Sequence, residues 1–180
     1  MLSCLSSGEL PAQHPDHERH PRPESRAGGI AHRPLVDYTG AMEERLGRIS
    51  TFCERHGIES LHAFGSRGRE IADWVDGKSH TPVQSSADVD IGMLPRDARK
   101  LSMREKSAIA IELEEILHVG RVDLIVLPEA DPFLAANVIR GERLYCRDTY
   151  AADEYELYVL RRAGDLAPLE RERLSLIEGK

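Results

Sequence analysis

The sequence predicts an α/β (α+β) fold, a small mixed sheet flanked by helices, and three observations predict it. Short apolar runs of strand length recur at Ile58–Phe64, Val89–Leu94 and Val122–Leu127. Between and around them lie stretches whose apolar residues return at helical spacing. Gly and Asp-Pro signals punctuate the joins.

Taken in order, residues 1–37 are unlike the rest. The first forty residues hold five of the ten prolines and four of the eight histidines, and no aromatic residue precedes Tyr38. Such a segment buries too little apolar surface to offset its ordering entropy, so a disordered tail is predicted for 1–37. His14, His17 and His20 sit among prolines without a scaffold and read as a solvated tail rather than a metal site. Met42, Leu46, Ile49 and Cys53 then trace a helical stripe ended by His56-Gly57, and the first strand follows. Ile71–Ser86, with Trp74, Gly77 and Pro82, reads as a loop.

After the second strand, Leu101–His118 is amphipathic, with Ile109, Leu113, Ile116 and Leu117 on one stripe and Gly120 closing the helix. Asp131-Pro132 caps and starts a helix through Ile139. Arg143–Cys146 reads as an edge strand. Two helices are predicted beyond it, Tyr150–Arg162 and Leu169–Ile177, broken at Gly164 and restarted by Pro168. The predicted organisation is a tail (1–37), a domain (38–147) and a C-terminal helical segment (148–180).

Composition narrows the function. A net charge of −7 argues against a nucleic-acid backbone as a direct partner. Three scattered cysteines without a Cys-x-x-Cys pair fit a reducing cytoplasm, the start lacks a signal-peptide pattern, and no run is long enough for a membrane helix.

The chemistry concentrates in three pieces. Side chains alternate along a strand, so Asp88 and Asp90 emerge on one face while Val89 and Ile91 point the other way. Two carboxylates on one face repel unless a cation lies between them. Asp123, inside an apolar run, is costly to bury without a partner. The economical explanation is convergence of all three on magnesium, and of magnesium on a phosphorylated substrate. Gly65-Ser66 ends the first strand, where a missing side chain lets the backbone approach that substrate.

A strand, then Gly65-Ser66-Arg67-Gly68-Arg69, then Asp88-Val89-Asp90, then a helix and a strand bearing Asp123: this order resembles the polymerase-β superfamily of nucleotidyltransferases, and within it the minimal nucleotidyltransferase (MNT) group. The resemblance covers roughly Ala41 to Arg147. It departs from the pattern in one place, since 21 residues (Arg67–Ala87) separate Ser66 from Asp88 where about ten are usual in the family.

The resemblance implies the nucleotidyltransferase fold, with Asp88, Asp90 and Asp123 as catalytic ligands of two Mg2+ ions. It also implies Gly65, Ser66, Arg67 and Arg69 as nucleotide-binding residues and ATP as substrate. For the MNT group it implies an antitoxin that transfers AMP to a tyrosine of a HEPN-type toxin. The alternatives are a small-molecule nucleotidyltransferase of the aminoglycoside-modifying kind, built as a homo-oligomer, and a non-catalytic antitoxin that neutralises its toxin by binding.

Overall fold

The structure, a computed structural model, describes residues 38–79, 87–97 and 100–179. The expectations for the tail and for residues 80–86 of the predicted loop lie outside these residues. Among the described residues, helix α1 (Tyr38–His56) leads to strand β1 (Ile58–Phe64), α2 (Gly68–Val75), β2 (Val89–Pro95), α3 (Met103–Leu117), β3 (Val122–Val126), α4 (Pro132–Ile139), β4 (Glu142–Cys146) and α5 (Thr149–Glu178). The strands form one mixed sheet in the order β3-β2-β1-β4. β2 and β3 run parallel, and β1 is antiparallel to both β2 and β4.

Alternation along the strands sends side chains to two cores. Leu61, Ala63, Val89, Ile91, Met93, Val122 and Val126 join Ile49, Phe52 and Cys53 of α1, Ile71, Trp74 and Val75 of α2 and the buried stripe of α3. The opposite face carries Leu94 and Phe64 against α4 and the buried residues of α5. Gly92 has no room for a side chain because Val138 of α4 fills that space. α3 starts at a capping box. Ser102 Oγ accepts from the Glu105 amide at 3.3 Å, and the Glu105 carboxylate accepts from the Ser102 amide at 2.7 Å. No described helix is long and apolar enough to cross a membrane.

Three expectations change. Residues 71–75 are helical, not loop: Ile71, Trp74 and Val75 fall at i, i+3 and i+4 and are buried. Trp74 is held by the Arg45 guanidinium over its ring at 4.5 Å and by His118 edge-on at 5.8 Å. α3 ends not at Gly120 but at His118, in the left-handed conformation with φ 55°. Finally, the two C-terminal helices are one. α5 runs through Pro168, whose ring meets the carbonyl four residues earlier, at Gly164, where no side chain adds to the crowding. Asp148 caps its start by accepting from the Ala151 amide at 3.1 Å, and Gly179 ends it at φ 67°.

A buried titratable residue with a cost lies on the β1 face that carries Phe64. His62 on β1 is 1% exposed, its Nε2 is 3.3 Å from Ser60 Oγ, and its Nδ1 has no partner. Burial, and after it the Arg143 guanidinium, push its pKa down from 6.5 to about 4. Below pH 6.5 the unfolded chain takes up a proton that the folded chain refuses. Stability is therefore full above pH 6.5 and lost as pH falls toward 4, by up to about 3 kcal/mol. His62→Gln should flatten that part of the curve. Urea unfolding of both proteins at pH 7.5, 5.5 and 4 checks this, and parallel curves would refute it.

Candidate active site

β1 runs directly into a 3₁₀ turn, Gly65–Arg67, which passes into α2. Gly65 sits at φ 68°, a conformation that side chains resist. A β-carbon there would overlap the Asp90 carboxylate. The backbone of the turn is thus laid against Asp90 with nothing between. Ser66, next in the turn, is exposed.

Strand register assembles the acids. Asp90 lies opposite Phe64 on one side and beside Asp123 on the other, while Val89 lies beside Val122. Asp88 shares the parity of Asp90 one step before the strand. Asp88, Asp90 and Asp123 are therefore brought together on one face, next to Gly65. Desolvation first, then the Asp123 and Asp88 charges, raise the Asp90 pKa above the usual carboxylate value.

A residue not singled out in the sequence belongs here. Arg121 places Nε 3.5 Å from Asp88 Oδ2 and Nη2 3.3 Å from Asp123 Oδ1, so its guanidinium spans two of the three acids. The signal was present in Arg121-Val122-Asp123, where i and i+2 share a face.

The two other arginines divide. Arg67 is buried, with Nη1 donating to the Ala87 carbonyl at 2.7 Å and Nη2 to Glu70 Oε1 at 2.9 Å. That fastens the turn to the residue preceding Asp88 and puts Arg67 behind the turn. Arg69 is exposed and pairs with Glu142 of β4 at 3.0 Å and Asp73 at 3.4 Å. Such surface pairs are worth about 1 kcal/mol or less.

Among the described residues no group of three His, Cys, Asp or Glu side chains stands arranged to hold an ion as it is. Asp88 and Asp123 are turned to Arg121. The donor chemistry nonetheless fits a hard divalent cation. Three carboxylates share one face, and Asp90 already resists ionisation, first because burial strips it of water and then because of the other two. Arg121 neutralises part of this charge, so Arg121→Ala should lower the melting temperature in chelator by about 1–3 °C. The deficit should shrink in millimolar magnesium, and scanning calorimetry in both buffers would show it. An equal deficit in both would sever Arg121 from the acidic cluster.

A family model described as Polymerase beta, Nucleotidyltransferase matches residues 48–150, which include the turn and all three acids. No curated protein gives a significant sequence match. Several solved structures share the architecture. One is a toxin–antitoxin pair with AMP-PNP, at 19% identity and TM-score 0.52, covering 74% of this chain and 96% of that one. Another is the MntA–HepT toxin–antitoxin pair, at 20% identity and TM-score 0.51, covering 76% and 97%. A third is a tri-AMPylated HEPN toxin with its MNT antitoxin from Shewanella oneidensis, at 20% identity and TM-score 0.51, covering 77% and 97%. At these identities the likeness is one of fold.

Proposed function

The chain belongs to the polymerase-β nucleotidyltransferase family, and from that premise we propose that it is an MNT-type antitoxin which transfers AMP from ATP to a tyrosine of a HEPN-type toxin. The observation that carries the chemistry is the Gly65 backbone laid against Asp90, with Asp123 in register beside it. Support for the acceptor comes from the similar structures, whose own proteins are toxin–antitoxin pairs, one with AMP-PNP and one with an AMPylated toxin. Among the described residues, α5 is the element that follows β4.

In this reading Asp88, Asp90 and Asp123 would together hold two Mg2+ ions. When bound, the ions supply positive charge to the phosphates and acidify the acceptor hydroxyl. The chain's own groups do the rest. The bare backbone at Gly65 lets the triphosphate lie close. Ser66 would offer its hydroxyl and amide to the β- and γ-phosphates just ahead of α2, whose N-terminal dipole favours anions. Arg69 would leave its surface pairs to join the phosphates. Arg67 would serve the nucleotide by holding the turn in shape. Asp123 takes the phenol proton as the phenol oxygen bonds to the α-phosphorus. The bond from that phosphorus to the pyrophosphate oxygen breaks, and pyrophosphate leaves.

The test is incubation with magnesium, a purified HEPN-type protein and ATP labelled either at the α- or at the γ-phosphate. Label from the α-position alone should appear on the HEPN-type protein, on tyrosine. Transfer to an aminoglycoside and not to protein would replace this reading with the small-molecule one. Tight binding of the HEPN-type protein without any transfer would replace it with a purely binding antitoxin.

A further inference from the structure

α5 is longer than the body it packs on. Its buried stripe starts with Ala152, half-buried Tyr155, Val159 and Ala163 at i, i+3, i+7 and i+11, the last three packing into the second core. After Ala163 no residue up to Ile177 is buried. The stripe does not stop there: Leu166, Glu170, Arg173 and Ile177 continue it at the same three- and four-residue steps, flanked by Leu169, Leu174 and Leu176. Leu169 is 63% exposed, Leu176 78% and Ile177 68%. Large aliphatic side chains gathered on one helical stripe mark an interaction surface rather than scattered exposure.

The pattern also says what it fits. If a second copy of this helix is laid antiparallel about a twofold axis between Arg171 and Glu172, Leu166 comes opposite Ile177 of the other copy. Leu169 and Leu176 share one flank of the stripe and meet Leu176 and Leu169 of the other copy, and Glu170 comes opposite Arg173. Every position on the stripe then meets a partner of matching kind, apolar with apolar and acid with base. Parallel pairing would instead set Glu170 against Glu170 and Arg173 against Arg173. Within one chain Glu170 and Arg173 already pair at 2.6 Å, so both are oriented on this side of the helix. An isologous surface must be complementary to itself, and this one is.

We propose that the C-terminal half of α5 is a homodimerisation element in which residues 166–177 of two chains pair antiparallel. About three turns of helix bury a small area, so the dimer belongs to the weak, concentration-dependent class. The proposal is independent of the transferase reading, because nothing in it touches Asp88, Asp90, Asp123 or the turn at Gly65.

Sedimentation equilibrium of the full chain between about 1 and 100 µM should show the mass rising from one chain toward two. Leu169→Glu with Ile177→Glu should hold the protein at one chain throughout, with an unchanged melting temperature at about 1 µM, where the wild type is also one chain and neither side chain is buried. Glu170→Arg should weaken dimerisation by about tenfold or more, and Glu170→Arg with Arg173→Glu should restore it. A wild-type mass that stays at one chain would overturn the proposal, as would a dimer that survives Leu169→Glu with Ile177→Glu. Failure of the charge exchange to restore association would overturn the antiparallel register.

Discussion

Asp90→Ala is expected to lower nucleotidyl transfer by about 10³-fold or more while raising the melting temperature of the metal-free protein. Asp90 is the centre of the acidic face, with the Gly65 backbone on one side and Asp123 in register on the other. Removing its carboxylate takes away a ligand that would hold the ions together with Asp88 and Asp123. The stability effect has the opposite sign. The Asp90 pKa is raised by desolvation and by Asp123 and Asp88, so its ionised form is disfavoured in the folded state relative to the unfolded one. Above its unfolded pKa, Asp90 therefore costs stability, and deleting the charge returns it. Asp90→Asn, which keeps the shape, should behave alike in both respects. Transfer is read from α-labelled ATP and stability from melting in chelator. Wild-type transfer by either variant at saturating magnesium would end the carboxylate-centred reading.

Gly65→Ala should be the second severe change, with about 2–3 kcal/mol lost in stability and transfer reduced further than unfolding explains. Two costs combine. A φ of 68° is unfavourable for alanine by about 1–2 kcal/mol, and the new methyl group overlaps the Asp90 carboxylate, so either the turn or the acid must move. Whichever moves, the triphosphate loses its close approach. Gly120→Ala is the comparison, because that glycine has open space around it and no left-handed backbone. Chemical unfolding and single-turnover transfer, measured on both variants, separate the effects. Equal behaviour of the two would show that the turn tolerates a side chain.

The strands were readable because each is a run of apolar residues between polar or glycine signals, and Ile58–Phe64 has the observed limits of β1. α4 was readable for a different reason: Asp131 accepts from the amides of Phe133 and Leu134, and Pro132 needs no donor at the first helical position. The convergence of the acids followed from the period of a strand. What stayed hidden depended on tertiary partners. α2 has only eight residues, and its buried Ile71, Trp74 and Val75 make sense once the Arg45 guanidinium and His118 are seen around Trp74. The hydrogen bond from Arg67 Nη1 to the Ala87 carbonyl, twenty positions on, was not legible because nothing local reveals that partner. Pro168 looked like a helix break because a proline usually is one, and the relief that Gly164 gives four residues earlier went unweighed.

The strand order has a consequence for synthesis of the chain. β1 lies inside the sheet, yet its two neighbours arrive at very different times: β2 follows within a few dozen residues, whereas Ser60 waits for Cys146. A nascent chain that has emerged as far as Asp123 already carries every acid of the site, but one side of β1 still presents unpaired amides and carbonyls. Loop closure over that distance is slow relative to local pairing. Fragments ending before Glu142 are therefore expected to associate through that open edge rather than persist as small active enzymes.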